Sequence, residues 1–280
     1  MATLKNTIVN DTGSVYLPRG TSAQRPSSPV DGAMRYNTDL GYVEFYWKGI
    51  WVNAETNKGG VPMDGLMFLI DVDNPASWDG STLTDISGND VSVTIGGTVT
   101  EQTSATGSKY LTGGTSAYIT IPLDVNSLSP DFYTVMTVSG YNGGTRGRIT
   151  STAPGGNNWL LGHHGGFDVC YYAEGWIVDR NSSGGGAANN QWAVHVGTGR
   201  ENTGRINMDE WQYWKNGGLE TVGVTRNGGS QGPTSLSINR WSSGSQPSDW
   251  KWQFLAVWDR VLTEDEIRGL SGALLERGGF

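Results

Sequence analysis

Five aspartates crowd one stretch of the chain: Asp71, Asp73, Asp79, Asp85 and Asp90. Oxygen ligands carried on irregular loops suit Ca2+. On that reading Asp85, Asp71 and Asp73 are the expected ligands. Asp and Asn side chains also satisfy nearby backbone N–H groups in turns, so turn chemistry competes. No EF-hand spacing is present. The histidines offer less. His163 and His164 are adjacent, and neighbours on a strand point to opposite faces, so one ion does not easily take both. His195 stands alone in the sequence. Cys170 lies in Val169-Cys170-Tyr171-Tyr172, where a small buried hydrophobe is expected rather than a nucleophile. No G-x-S-x-G elbow appears. The glycine runs at 184–186 and 228–229 lack the Lys-Ser/Thr of a phosphate cradle and read as loops.

Aromatic side chains are the richer resource. Trp176, Trp192, Trp211, Tyr213, Trp214 and Trp241 lie among Gly, Asn and Ser. Sugar binding uses exposed Trp or Tyr faces beside amide and carboxylate groups, so these residues form a candidate glycan platform. Burial in a core or subunit interface is the other reading. Sequence leaves both open, because Trp is often only partly buried. Trp250, Trp252 and Trp258 are expected in the core, sharing one face of a last strand with Phe254 and Ala256.

The elements that must position these groups are short strands. Charged residues make up only 16% of the 280 residues, while Gly reaches 42 and Trp 12. Period-2 alternation marks Val91/Val93/Ile95, Ala117/Ile119/Ile121 and Leu236/Ile238, and Met67 to Ile70 reads as a buried strand. Turn signals between them predict an all-β sandwich. One helix is marked at the end: Thr263-Glu264-Asp265-Glu266 is a capping box, followed by Ile267, Leu270 and Leu274 on one face. Upstream, Met34–Thr38 and Val43–Trp47 read as strands, and Lys48-Gly49 as a tight turn into Ile50-Trp51-Val52. The stretch 53–65 reads as a linker. This divides the chain into a small β-hairpin module at 1–52, the linker, and a sandwich at 66–280. So small a module buries too little surface to stand alone, which predicts docking or oligomerisation.

The net charge of −8 argues against nucleic acid and anionic membrane surfaces as main partners. No apolar run reaches membrane-spanning length, and the start lacks the apolar core of a signal peptide. A single cysteine excludes an intrachain disulfide. These features predict a chain made and folded in a cytoplasm.

Two stretches resemble known families. Residues 17–51, with Pro18, Gly20, Thr21, Ala23, Gln24, Arg25 and Pro26, then Gly32, Arg35, Tyr36, Asn37, Thr38, and finally Gly49 and Trp51, resemble a short β module of tail-fibre, neck and head-appendage proteins of tailed bacteriophages, including those infecting cyanobacteria. The resemblance implies a virion component assembled in the host cytoplasm, with Arg25, Arg35, Tyr36, Asn37, Trp47 and Trp51 as anchoring or oligomerising residues. It also implies a homotrimer, and portal, neck, tail or capsid proteins as partners.

The second resemblance covers the rest of the chain. The start Phe68 to Trp78, the turn Thr84 to Asp90 and the close Phe254 to Ile267 resemble a laminin-G-like, concanavalin-A-like jelly roll, and Asn158 to Gly166 reads like its central strand. That family implies fold, and often glycan or protein binding. Concanavalin-like glucanases place their catalytic carboxyls as E-x-D-x-E on one strand. No such run exists here: Glu264-Asp265-Glu266 belongs to the capping box, and Asp209-Glu210 are adjacent.

The combined expectation is an all-β, non-catalytic phage spike, short fibre or knob. It displays a lectin-like jelly roll toward a host-surface glycan and requires no cofactor, with Ca2+ as an optional ligand. A head-decorating or neck cement protein, and a capsule-polysaccharide depolymerase, are the alternatives.

Overall fold

The computed structural model describes residues 16–39, 42–47, 50–53, 60–127, 132–179, 191–200, 211–221, 231–241 and 245–279. The Lys48-Gly49 turn, Asp209-Glu210 and both glycine runs lie outside those residues, as does 54–59 of the expected linker. The chain divides into two compact units, Met1–Val61 and Pro62–Phe280.

The first unit is one four-stranded sheet: β1 (Arg19–Gly20), β2 (Met34–Asn37), β3 (Tyr42–Trp47) and β4 (Ile50–Asn53), in that order. β1 runs parallel to β2; the other pairs are antiparallel. Arg35 stands opposite Glu44, while Met34 stands opposite Phe45 and Tyr36 opposite Val43. Directly opposed residues share a face. One face therefore carries buried Arg35, Asn37 and Glu44, and the other carries Met34, which is 49% exposed, with half-buried Tyr36, Val43 and Phe45. The polar side is the inside of this unit.

The second unit is built from β5 (Leu66–Asp71), β6 (Thr94–Gly96), β7 (Val99–Thr103), β8 (Lys109–Gly113), β9 (Tyr118–Ile121), β10 (Phe132–Arg146), β11 (Thr150–Ser151), β12 (Trp159–His164), β13 (Phe167–Ala173), β14 (Trp176–Asp179), β15 (Ala193–Arg200), β16 (Tyr213–Lys215), β17 (Gly218–Leu219), β18 (Leu236–Ile238), β19 (Ser248–Trp258) and α1 (Glu264–Gly278). Two antiparallel sheets form a sandwich. One has the order β17-β16-β15-β10-β19-β8-β7, with β5 also on β19; the other has the order β14-β13-β12-β11-β18-β9-β6. Ile119, Ile121, Tyr133, Val135, Trp159, Leu161, Tyr171, Leu236 and Ile238 meet between them, as their alternation predicts.

β19 departs from the simple pattern. The core holds Trp250 and Trp252, and then Leu255 and Val257, rather than Phe254, Ala256 and Trp258. The β10 register explains this: Val138 pairs with Phe254 but Ser139 with Trp252, so Gln253 is the extra residue of a bulge. One inserted residue moves every later side chain to the opposite face. Phe254, Ala256 and Trp258 are buried on the outer side of the eight-stranded sheet. Helix α1 packs over that side with Ile267, Leu270 and Leu274 buried. Its capping box forms as the sequence predicts: Thr263 Oγ1 accepts from Glu266 N, and Glu266 Oε2 accepts from Thr263 N at 2.8 Å.

Candidate functional site

The aspartates expected to hold calcium are occupied by other partners. Asp85 accepts from the backbone N–H of Leu69 at 3.0 Å, Ser87 at 2.9 Å and Val91 at 3.0 Å, and from Ser87 Oγ. It pins the 85–91 turn to β5, which is the turn chemistry weighed against metal binding. Asp71 takes both Nη atoms of Arg277, at 2.6 and 2.9 Å, and accepts from Asp73 N. Arg277 thus sits where a cation between Asp71 and Asp73 would sit, and Asp85 is bound elsewhere. Among the described residues no group of three or more His, Cys, Asp or Glu is arranged to hold a metal ion.

The expected aromatic platform also divides. Trp211, Tyr213 and Trp214 are buried, so they are not a surface. Trp211 packs edge-on against Tyr133 in the core. Trp214 lies under the helix with Arg268 over its ring. Trp192 is half-buried, edge-on to Tyr110 at 5.1 Å, with the Lys251 ammonium 4.7 Å from its ring centre, beside the eight-stranded sheet. Trp176 lies on β14 of the other sheet, and Trp241 follows β18 of that sheet.

The link between them is a row of polar side chains. Arg148, between β10 and β11, lies face-on to Trp241 with its guanidinium carbon 3.8 Å from the ring centre. Its Nε donates to Gln246 Oε1 at 2.6 Å and its Nη1 to Asn158 Oδ1 at 2.6 Å. Gln246, at the entry to β19, also neighbours His164 and raises its proton affinity. His164 tilts against Trp176 at 5.6 Å, and Trp176 meets Tyr172 edge-on at 5.0 Å. The backbone makes this possible. The turn Glu174-Gly175 between β13 and β14 takes positive φ at both residues, folding Trp176 back beside Tyr172. As neighbours on β12, His163 and His164 point to opposite faces, His163 into the interior and His164 toward Trp176. Burial pushes the Arg148 guanidinium down to about 10, and burial with the Arg148 charge lowers His164, which is neutral at pH 7. The result is a partly exposed row of two indoles, a phenol, planar amides and a guanidinium, the groups that stack on and hydrogen-bond small polyols.

A second polar chain crosses the interior, and sequence reasoning missed it. His195 is not alone: its Nε2 lies 3.1 Å from His163 Nδ1, and its Nδ1 lies 2.8 Å from Tyr213 Oη. Tyr213 donates to the Asp168 carbonyl at 3.1 Å, so its oxygen accepts from His195 Nδ1–H. His195 Nε2 then accepts from His163 Nδ1–H, which also faces Ser139 Oγ at 3.1 Å. Both rings are fully buried, and His163 Nε2 is left without a partner. Burial, with the Lys215 and Lys251 charges, lowers His163 to about 3; burial and His163 itself push His195 well below its ordinary value. Sealed and neutral, this chain is structural. Its sequence signal was two histidines on strands that the two sheets bring face to face.

In the first unit Arg25, Arg35 and Asn37, expected to meet partners, converge on Glu44 instead. Arg25 grips Glu44 Oε2 at 2.6 Å, Asn37 Nδ2 donates to the same oxygen at 3.1 Å, and Arg35 Nε lies 3.5 Å from Oε1. Burial pushes the Glu44 carboxyl up, but the hydrogen bonds and the two guanidinium charges outweigh it and hold it below the usual range. Arg35 and Asn37 are therefore internal struts of this sheet. Trp51 tilts on Tyr46 at 5.4 Å with Arg35 over its ring, and Tyr36 is half-buried under Arg19. Trp47 ends β3.

No protein-family model matches this chain, and no curated protein matches it. Solved structures do. The chain is similar to domain 4 of AbnA, a GH43 extracellular arabinanase from Geobacillus stearothermophilus, in complex with arabinotriose, at TM-score 0.50 and 16% identity, covering 74% of this chain and 98% of that one. It is also similar to the binding domain of Paraclostridial Mosquitocidal Protein 1, at TM-score 0.51 and 11% identity, covering 76% of this chain and 53% of that one. The second unit is a jelly-roll β-sandwich. The chain spans about half the length of the toxin binding domain it matches. At these identities the likeness is one of fold.

Proposed function

We propose that this protein is a virion component of a tailed phage whose jelly roll binds a glycan on the host surface. The observation that carries the binding half is the row in which the loop residues Trp241, Arg148 and Gln246 meet His164 and Trp176 of the seven-stranded sheet. Stacking faces and planar hydrogen-bonding groups stand side by side there, partly open to solvent. Support by analogy comes from the arabinanase domain, whose similar jelly roll holds arabinotriose. The virion half rests on the resemblance of residues 17–51 to phage appendage modules. The first unit would attach the jelly roll to the particle or to further copies of the chain, a homotrimer by that resemblance. Weak single sites on one particle would then act together.

A glycan array probed with the full chain tests the binding half. Binding is expected, and Trp176→Ala or Trp241→Ala should each weaken it about tenfold, the size of one lost stacking contact. An array without hits overturns glycan binding, and release of shorter saccharides would favour a depolymerase. For the virion half, Trp51→Ala should abolish incorporation into particles while the jelly roll unfolds as in the parent protein. Normal incorporation refutes the anchor role, and a cryo-EM map showing the jelly roll flat between shell proteins would favour the cement reading.

A further inference from the structure

We infer that Arg148 is the recognition group for a carboxylate-bearing sugar residue, stacked beside Trp241. This deepens the glycan-binding reading and rests on it.

Arg35 is 5% exposed and Arg148 is 6% exposed. Arg35 shares the Glu44 carboxylate with Arg25. Arg260 is paired with Glu266 at 2.7 Å, and Arg277 with Asp71 at 2.6 Å. Arg148, equally buried, has no carboxylate partner among the described residues: two neutral amide oxygens and an indole face hold it. Removing a cation from water is costly unless a counter-charge replaces the solvent. This chain meets that cost with an acid at Arg35 and leaves it unmet at Arg148.

The geometry says where the missing anion belongs. Nε and Nη1 are committed to Gln246 and Asn158, which fix the guanidinium plane. Nη2 makes no hydrogen bond among the described residues and is not sealed from solvent. A held guanidinium with an open edge fits a carboxylate oxygen better than a mobile ammonium does. The ring bearing that carboxylate would lie along Trp241, with Trp176 further down the row. Two acids act on its neighbours instead: Glu174 accepts from Asn158 N at 2.7 Å, and Asp179 acts on His164. Neither forms an ion pair with Arg148.

The test is a glycan array of neutral, uronate- or sialate-bearing and sulfated saccharides, followed by calorimetry of a hit and its amide, which keeps the shape and removes the charge. Acidic hits are expected, with the acid binding about tenfold or more tighter than its amide. Arg148→Gln should erase that preference, so that the acid and its amide bind alike. Arg148→Lys keeps the charge without the planar edge and should recover only part of it. If Arg148→Gln does not fold, the acid–amide comparison on the parent chain decides alone. Equal binding of acid and amide overturns the assignment and leaves glycan binding standing. Hits confined to sulfated glycans also overturn it. No hits of any kind overturn both.

Discussion

The N-terminal sheet and the jelly roll both bury a polar network, ionic in the sheet and neutral in the sandwich interior. In the small sheet the interior is ionic: Glu44 sits between Arg25, Arg35 and Asn37, and the apolar residues Met34 and Tyr36 lie on the exposed side. In the jelly roll the interior is aromatic and aliphatic, and its polar chain of His163, His195 and Tyr213 is neutral. Size accounts for the difference. A four-stranded sheet has little apolar area to bury, so a saturated ion cluster with good geometry defines its inside. The sandwich has enough apolar burial to tolerate a desolvated histidine pair with one acceptor unmet, provided neither ring carries charge. The two interiors should therefore fail under different insults.

Acid separates them most strongly. His163 is held at about 3 in the folded protein. Unfolded, it titrates near its ordinary 6.5, so between those values the unfolded chain binds the extra proton. Its contribution is intact above about pH 6.5 and is lost as pH falls toward 3, on the order of 4–5 kcal/mol in all. His195 adds loss in the same direction. Glu44 is lowered from 4.5, so its contribution is intact above that value and is lost only below it. Denaturant unfolding at pH 7 and pH 5, followed by hydrogen exchange in β12 and β15 against β2 and β3, should show the jelly roll weakened and the small sheet unchanged. The reverse order breaks the comparison.

Glu44→Ala attacks the other side. It leaves Arg35 buried without its carboxylate, and breaking a buried pair from one end costs about 3–5 kcal/mol. Exchange protection in β2 and β3 should collapse while the jelly-roll transition stays in place. Retained protection would mean that the ion cluster is not what holds this sheet.

How far the sequence foretold this depended on the range of the interaction. Local chemistry was legible: the Thr263 capping box, the alternation in β9 and β18, and the Asp85 turn reading all rest on residues a few positions apart. The faces of β19 were not, because one extra residue at Gln253 reverses parity, and only the pairing with β10 reveals it. The histidine pair was missed because His163 and His195 meet only when two sheets stack. For the same reason the loop aromatics were over-counted: Trp211, Tyr213 and Trp214 follow polar sequence but fall within or beside buried strands. Arg148 carried no sequence signal, since a guanidinium without an acid is defined by its surroundings.

The smallest predicted effect tests whether the jelly roll's stability resides in its interior or in its outer helix. Thr263→Ala removes the hydroxyl that accepts from Glu266 N. Such a cap is worth about 1 kcal/mol. Glu266 remains gripped by Arg260 at 2.7 and 2.9 Å, so the helix start keeps its other half. Burial pushes the Glu266 carboxyl up, yet Arg260 and the Thr263 N–H outweigh it and keep it charged, so this loss should not change between pH 7 and pH 5. Denaturation should therefore show a small, pH-independent destabilisation of the jelly roll alone. A loss as large as that of Glu44→Ala would mean that α1, with Ile267, Leu270 and Leu274 buried beneath it, carries a large share of the sandwich's stability rather than only covering it.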